Sequence, residues 1–499
     1  MERKITVSLF FICILLTASF SSAQPADPQT AVLPLTTKSA EVRRLMDTVW
    51  DLDLDQVEQE KAIEVLRVIV KTDPDFALGH QLLAQSSLDP AEQIREQKKA
   101  VAARNNASAG ERLIIEWFQN AADHKLIPAI TAMNDVLSQY PHDRWVVFLA
   151  NNWLTTQTQY ERAAAVFEHS GLTSSPGLIN NTAYTYAYMR QFDKAFALMD
   201  RYIAALPNDA NPQDSYAEIL RMAGHFDQAI EHYKAALAIN PAFYSSQFGI
   251  ADTYSLMGEQ ARARTEYEIG FAKFPLPALH KVQWQTREAI TYVREGDNAG
   301  ADRAFRAIAD YAHVKHMSQV EADTYRQMAM YQPDPKRAEI LLDKAAAAVQ
   351  QGRNAPQAVL KQEMAQILRA RVELGLKMHD EKMASTALAS LNHAAEQNSA
   401  DKLIETAYHG AAGAALFSGH KYKEAIAHLE EDINNPLSLQ RLATAYLKTG
   451  DSSEAKSTAE TLANLYDPTL EQALVVPAFR QCYQDPGCGG NLKNAALQK

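Results

Sequence analysis

Pro207, Pro241 and Pro275 stand 34 residues apart, and each closes a stretch whose apolar residues recur in register with its neighbours. Ala183, Ala217 and Ala251 share one slot, and Tyr186, Leu220 and Tyr254 share the slot three residues later. Ala195, Ala229 and Ala263 share a third, followed by Met199, Tyr233 and Tyr267. A fixed period of this length marks stacked helix pairs, because each unit buries its apolar face only against the next. The small residues let two helices approach closely, and the long ones fill the space beside them. Proline has no N–H to continue a helix, so it ends the second helix of each unit. Gly224 and Gly258 fall where the first helix must reverse, and glycine takes left-handed torsions there without strain. Arg190 holds that slot in the first unit.

The pattern over roughly 176–278 resembles the tetratricopeptide repeat. Tyr216-Ala217 and Ile250-Ala251 hold the positions of that family's Leu-Gly pair. Ala229-x3-Tyr233 and Ala263-x3-Tyr267 hold those of its Ala-x3-Phe. Ile179, Gln213 and Gln247 replace its early Trp. Weaker copies follow at Ala289, Tyr292, Gly296, Ala301 and Phe305, and at Ala443, Tyr446, Gly450, Ala455 and Leu462. The resemblance implies an all-α fold, a right-handed α-solenoid of tetratricopeptide-like helix-turn-helix repeats. A generic amphipathic bundle is the competing reading, since period-3.6 patterning occurs in any helical domain.

Three in-register copies organise the chain around them. Residues 1–23 read as an export signal, with Arg3 and Lys4 before an apolar run and Ser21-Ser22-Ala23 as a cleavage site. Residues 24–40 read as a flexible linker, and 41–175 as degenerate helical repeats. Residues 176–313 are the clear array, 314–400 irregular helical repeats, and 401–468 further tetratricopeptide-like units. Residues 469–499 read as a capping tail. Cys482 and Cys488 are the pair left after signal removal, and Asp485-Pro486-Gly487 between them is a turn. An even pair in an exported chain predicts one disulfide. No transmembrane segment is expected after cleavage, because no other apolar run is long enough. The compartment expected is periplasmic or secreted.

The net charge of −11, from 60 acidic and 49 basic residues, argues against a nucleic-acid partner. None of the common phosphate-loop, dinucleotide, nucleophile-elbow or zinc-protease motifs occurs. No catalytic residue, metal or cofactor is therefore expected. Asp51, Asp53 and Asp55 begin like a calcium loop, but Gln56 and Ala62 fill the slots that need glycine and glutamate. An acidic helix start explains them better. His313 and His316 could share a helix face but lack a third ligand, and Glu430, Glu431 and Asp432 read as a solvated acidic face. The remaining site is the concave groove. The resemblance places Asn180, Tyr184, Tyr188, Asp214, Glu218, Arg221, Phe248, Asp252 and Ser255 in its inward slots. Their aromatic and acidic mix suits an extended protein or peptide partner bearing apolar and basic side chains, or else simple packing within the helix pairs. The chain reads as a non-enzymatic scaffold of the cell envelope. The alternative is an accessory helical domain of an envelope enzyme or of a polysaccharide or lipid export system.

Overall fold

A computed structural model describes residues 32–352 and 355–484. The stretch read as an export signal and Cys488 of the expected disulfide lie outside the described residues. Among those described are 25 α-helices and no strand. They run as twelve consecutive hairpins and one last helix, Leu470–Gln484, and each helix packs chiefly on its neighbours in sequence. The clear array consists of Pro176–Tyr188 with Phe192–Ala205, Ala210–Met222 with Phe226–Ile239, and Tyr244–Met257 with Gln260–Lys273. This is an α-solenoid of tetratricopeptide-like repeats.

The slots explain the packing. Ala183, Ala217, Ala251, Ala195, Ala229 and Ala263 are all fully buried, so any larger side chain would separate the helices they join. The same small-residue rule continues outside the array at Ala129, Ala163, Ala301 and Ala455. Most turns within a hairpin carry one residue in the left-handed region. Gly224, Gly258, Gly296 and Gly450 supply it without a Cβ, and Arg190 takes it at φ 58° in the unit that lacks glycine. Arg190 is compensated by a hydrogen bond from Nη2 to the Asn464 carbonyl at 2.9 Å.

Three expectations differ from the structure. The stretch read as a linker is packed from Leu33 onward. Leu33 N–H donates to Asp143, Thr36 bonds Glu111 and Thr37 bonds Asp73. The Asp51–Asp55 run is not a helix start. It is a π-helical turn, Trp50–Asp55, continuing the Ala40–Val49 helix. The stretch 314–400, expected to be irregular, is hairpin structure in which the helices after Ser318–Tyr331 are longer. Gln357–Met378 has 22 residues against 13 or 14 in the clear array, so the sequence period is lost while the architecture is kept.

The array also returns on itself. Nε2 of His124, in the turn before Leu126–Gln139, lies 2.5 Å from Oδ2 of Asp401, at the cap of Lys402–Ser418. Both side chains are buried. The groove is therefore not an open channel along the whole chain. Segments near residues 55–61 and 464–471 enter it from two sides.

Candidate functional site

The inward faces of Pro176–Tyr188, Ala210–Met222 and Tyr244–Met257 meet the helix Ala278–Glu295 around two adjoining cavities. The first, about 540 Å³, is lined by Asn180, Tyr184, Asp214, Asp252, Trp284 and the incoming Val57–Lys61 segment. The second, about 660 Å³, is lined by Tyr188, Thr286, Asp323, Arg326 and residues 467–471. Glu218, Arg221 and Arg287 line both. The two spaces thus form one central chamber divided by these three side chains.

The chain's own segments build both walls. Asp55 anchors the first, because its carboxylate accepts from Gly177 N–H at 2.8 Å and its carbonyl from the Tyr202 hydroxyl at 2.6 Å. The Tyr244 hydroxyl then donates to Glu60 at 2.7 Å. On the far side the Tyr466 ring packs edge-on against Phe226 at 5.0 Å. It lies so close to Gly224 that a Cβ there would stand 2.6 Å from the ring. Within the chamber Gly249 has a similar use. A Cβ would meet the Tyr233 ring at 2.4 Å, so its absence lets Tyr233 lie against the neighbouring helix.

The charged groups are largely paired to one another. Glu218 accepts from the Tyr184 hydroxyl and from Arg221 Nη2, both at 2.9 Å. Asp252, 1 % exposed, accepts from Tyr267 and Arg287. Ser246 donates to Asp214 at 2.5 Å. Burial raises the Asp214 carboxyl to about 7, with the Glu218 charge pushing the same way. Burial and Glu218 also keep the Tyr184 phenol neutral. Arg221 is 2 % exposed. Burial opposes its charge, and the nearby Tyr233, Glu218 and Asp252 outweigh that, leaving it more firmly protonated than usual. The Tyr233 hydroxyl also stands within hydrogen-bonding reach of the guanidinium.

Six of the expected groove residues, Asn180, Tyr184, Asp214, Glu218, Arg221 and Asp252, line the first cavity, and Tyr188 lines the second. Phe248 and Ser255 lie in the packing between helices. Phe248 is fully buried and stacks on Trp284 at 4.8 Å, while Ser255 bonds Gln260. Arg287, Trp284 and Tyr233, and the segments at 57–61 and 467–471, complete the walls without having been expected. Arg287 was legible in one respect: it stands 35 residues after its partner Asp252, one repeat along the inward row. Elsewhere, His313 is exposed and 3.1 Å from Glu321. Glu430, Glu431 and Asp432 are each engaged, with Tyr446, Lys402 and Arg369 respectively. Among the described residues no three His, Cys, Asp or Glu groups gather as a metal site. No helix there is long and apolar enough to cross a membrane.

No protein-family model matches the chain, and no curated protein matches it. Among solved structures it is similar to a tetratricopeptide repeat protein from Parabacteroides merdae, with 14 % identity over 57 % of this chain and 99 % of that one, at a TM-score of 0.37. It is also similar to a Rap protein solved with competence and sporulation factor, with 12 % identity over 73 % of this chain and 100 % of that one, at 0.38. A third is the human IFIT1 dimer with PPP-AAAA, with 15 % identity over 84 % of this chain and 98 % of that one, at 0.38.

Proposed function

We propose that this chain is a non-enzymatic binding protein of the cell envelope that takes a segment of a partner protein or peptide into the central chamber. The observation that carries the reading is the pair of preformed cavities on the inward faces of the repeats, walled by the aromatic rings of Tyr184, Tyr188 and Trp284. A rigid solenoid spends little on reorganising to receive a ligand there. The envelope assignment comes from the export signal in the sequence.

The acids are not free to select a basic partner, because Glu218 and Asp252 already hold Arg221 and Arg287. The selection falls instead to the aromatic walls, Tyr184, Tyr188 and Trp284. A photo-reactive residue placed at Tyr244 or Gln283, each in the wall of one of the two cavities, tests the reading in envelope extracts. Crosslinks to one polypeptide from both positions, lost when Arg221→Lys is added, are expected. Crosslinks that survive Arg221→Lys unchanged, or none at all, would contradict it, and fractionation into the cytoplasm would remove the envelope role.

A further inference from the structure

A third cavity, of about 630 Å³, shares no lining residue with the chamber. The ends of Ala77–Ser86, Ala109–Ala122 and Arg144–Thr156 line it together with Pro90–Ala103. The wall facing them is the start of Gln357–Met378, which the closure of the array brings from far along the chain. Gln362 belongs to both features. It lines the cavity and donates from Nε2 to Asp401 at 3.0 Å, the carboxylate that meets His124. The volume lies within the roughly 300–1,000 Å³ range of small-ligand sites.

Where the chamber is lined by charges, this cavity is lined by amides. Among the described residues around it seven are glutamines and two are charged, Lys98 and Asp123. Gln93 is taken up by the Ser87 carbonyl and Gln362 by Asp401. The amides of Gln85, Gln119, Gln157 and Gln357 have no protein partner among the described residues. All four residues are exposed or half-buried, and none of their amide atoms is sealed from solvent. Phe118, Trp153, Ile94, Val101 and Leu126 give the space an apolar floor. Each carboxamide presents donors on nitrogen and an acceptor on oxygen, and a hydroxyl group is likewise both. An ion would lose its hydration here without an opposite charge to replace it, and a wholly apolar ligand would strand the amides. The chemistry left is a neutral molecule with many hydroxyls and apolar C–H faces. We infer that the cavity binds a short neutral oligosaccharide, its hydroxyls on the four open glutamines and its C–H faces over the Phe118 and Trp153 floor. The facing wall favours a compact ligand over a polypeptide running through. This site is separate from the chamber and does not depend on the reading given to it.

The test applies the full chain, fluorescently labelled, to a printed array of neutral oligosaccharides, their sialylated and uronic-acid counterparts, and uncharged peptides capped at both ends. Binding confined to neutral glycans is expected, and it should be unchanged between dilute and concentrated salt because no ion pair holds the ligand. Gln119→Leu combined with Gln157→Leu, checked for an unchanged melting transition, should weaken binding of the best glycan by about tenfold or more. Gln85→Leu combined with Gln357→Leu, at two exposed positions, makes the same test should the first pair disturb the fold. Crosslinks from Tyr244 and Gln283 in the chamber walls should be the same in these variants, so the two sites stand or fall separately. Preference for acidic glycans or for capped peptides, affinity unaltered by both pairs of substitutions, or no bound glycan at all would overturn the proposal.

Discussion

At the scale of single residues, Asp214 makes the sharpest claim. Its carboxyl titrates near 7 in the folded chain against an ordinary 3.8, because burial disfavours its charge. The folded state therefore keeps a proton that the unfolded chain has released across that interval. The stabilisation is complete below about pH 4 and is lost as the pH rises to 7, and its ceiling is about 4 kcal/mol. Glu288 and Glu363, both raised by burial to about 7, act in the same direction. Urea unfolding should show a less stable protein at pH 8 than at pH 5, and Asp214→Asn should flatten that slope. An unchanged slope would mean that Asp214 ionises freely. None of this was visible in the sequence, where Asp214 is one acid among 60. What was visible was its slot. The inward polar residues recur about one repeat apart, as Tyr184 and Glu218, and Asp252 and Arg287 show. Sequence spacing thus identifies which side chains face one another, while burial, which sets their charge, depends on segments arriving from elsewhere.

At the scale of the element, the turns separate backbone strain from contact. At Gly258, with φ 92°, an added Cβ would meet nothing within 4 Å, whereas at Gly224, with φ 84°, it would meet the Tyr466 ring at 2.6 Å. An alanine at either position carries the left-handed cost of roughly 1–2 kcal/mol. Gly224→Ala must in addition push Tyr466 off Phe226. Thermal unfolding should therefore show a larger loss for Gly224→Ala than for Gly258→Ala, and equal losses would mean that Tyr466 does not rest there. Both glycines were legible as turn residues from the 34-residue period. The Tyr466 contact was not, because its partners lie far away in the chain, and no local pattern encodes such a meeting. The long helices of 314–400 escaped for a related reason. Extending a hairpin breaks the period without disturbing the small residues that seat one helix on the next, such as Ala338 and Ala345.

At the scale of the whole molecule, the decisive feature is closure. The repeat pattern predicts an open curved surface, and the repeats do stack as expected. Where distant parts of the superhelix touch is decided by a few polar pairs. His124 meets Asp401, which also accepts from Gln362 at 3.0 Å. Replacing His124 by Leu leaves a buried carboxylate oxygen short of a partner, at a cost of roughly 1–3 kcal/mol. The loss should appear in the melting transition and as faster amide exchange in Leu126–Gln139 and Lys402–Ser418, with the central hairpins unaffected. Uniform change across the chain would argue against a local seam. Closure is tested most directly by the distance between spin labels at Lys125 and Lys402, beside that seam, with Cys13, Cys482 and Cys488 replaced by serine. The closed array predicts one narrow distribution at the short end of the measurable range. A broad distribution at long distance would mean an open coil, in which the His124 and Asp401 hairpins do not meet.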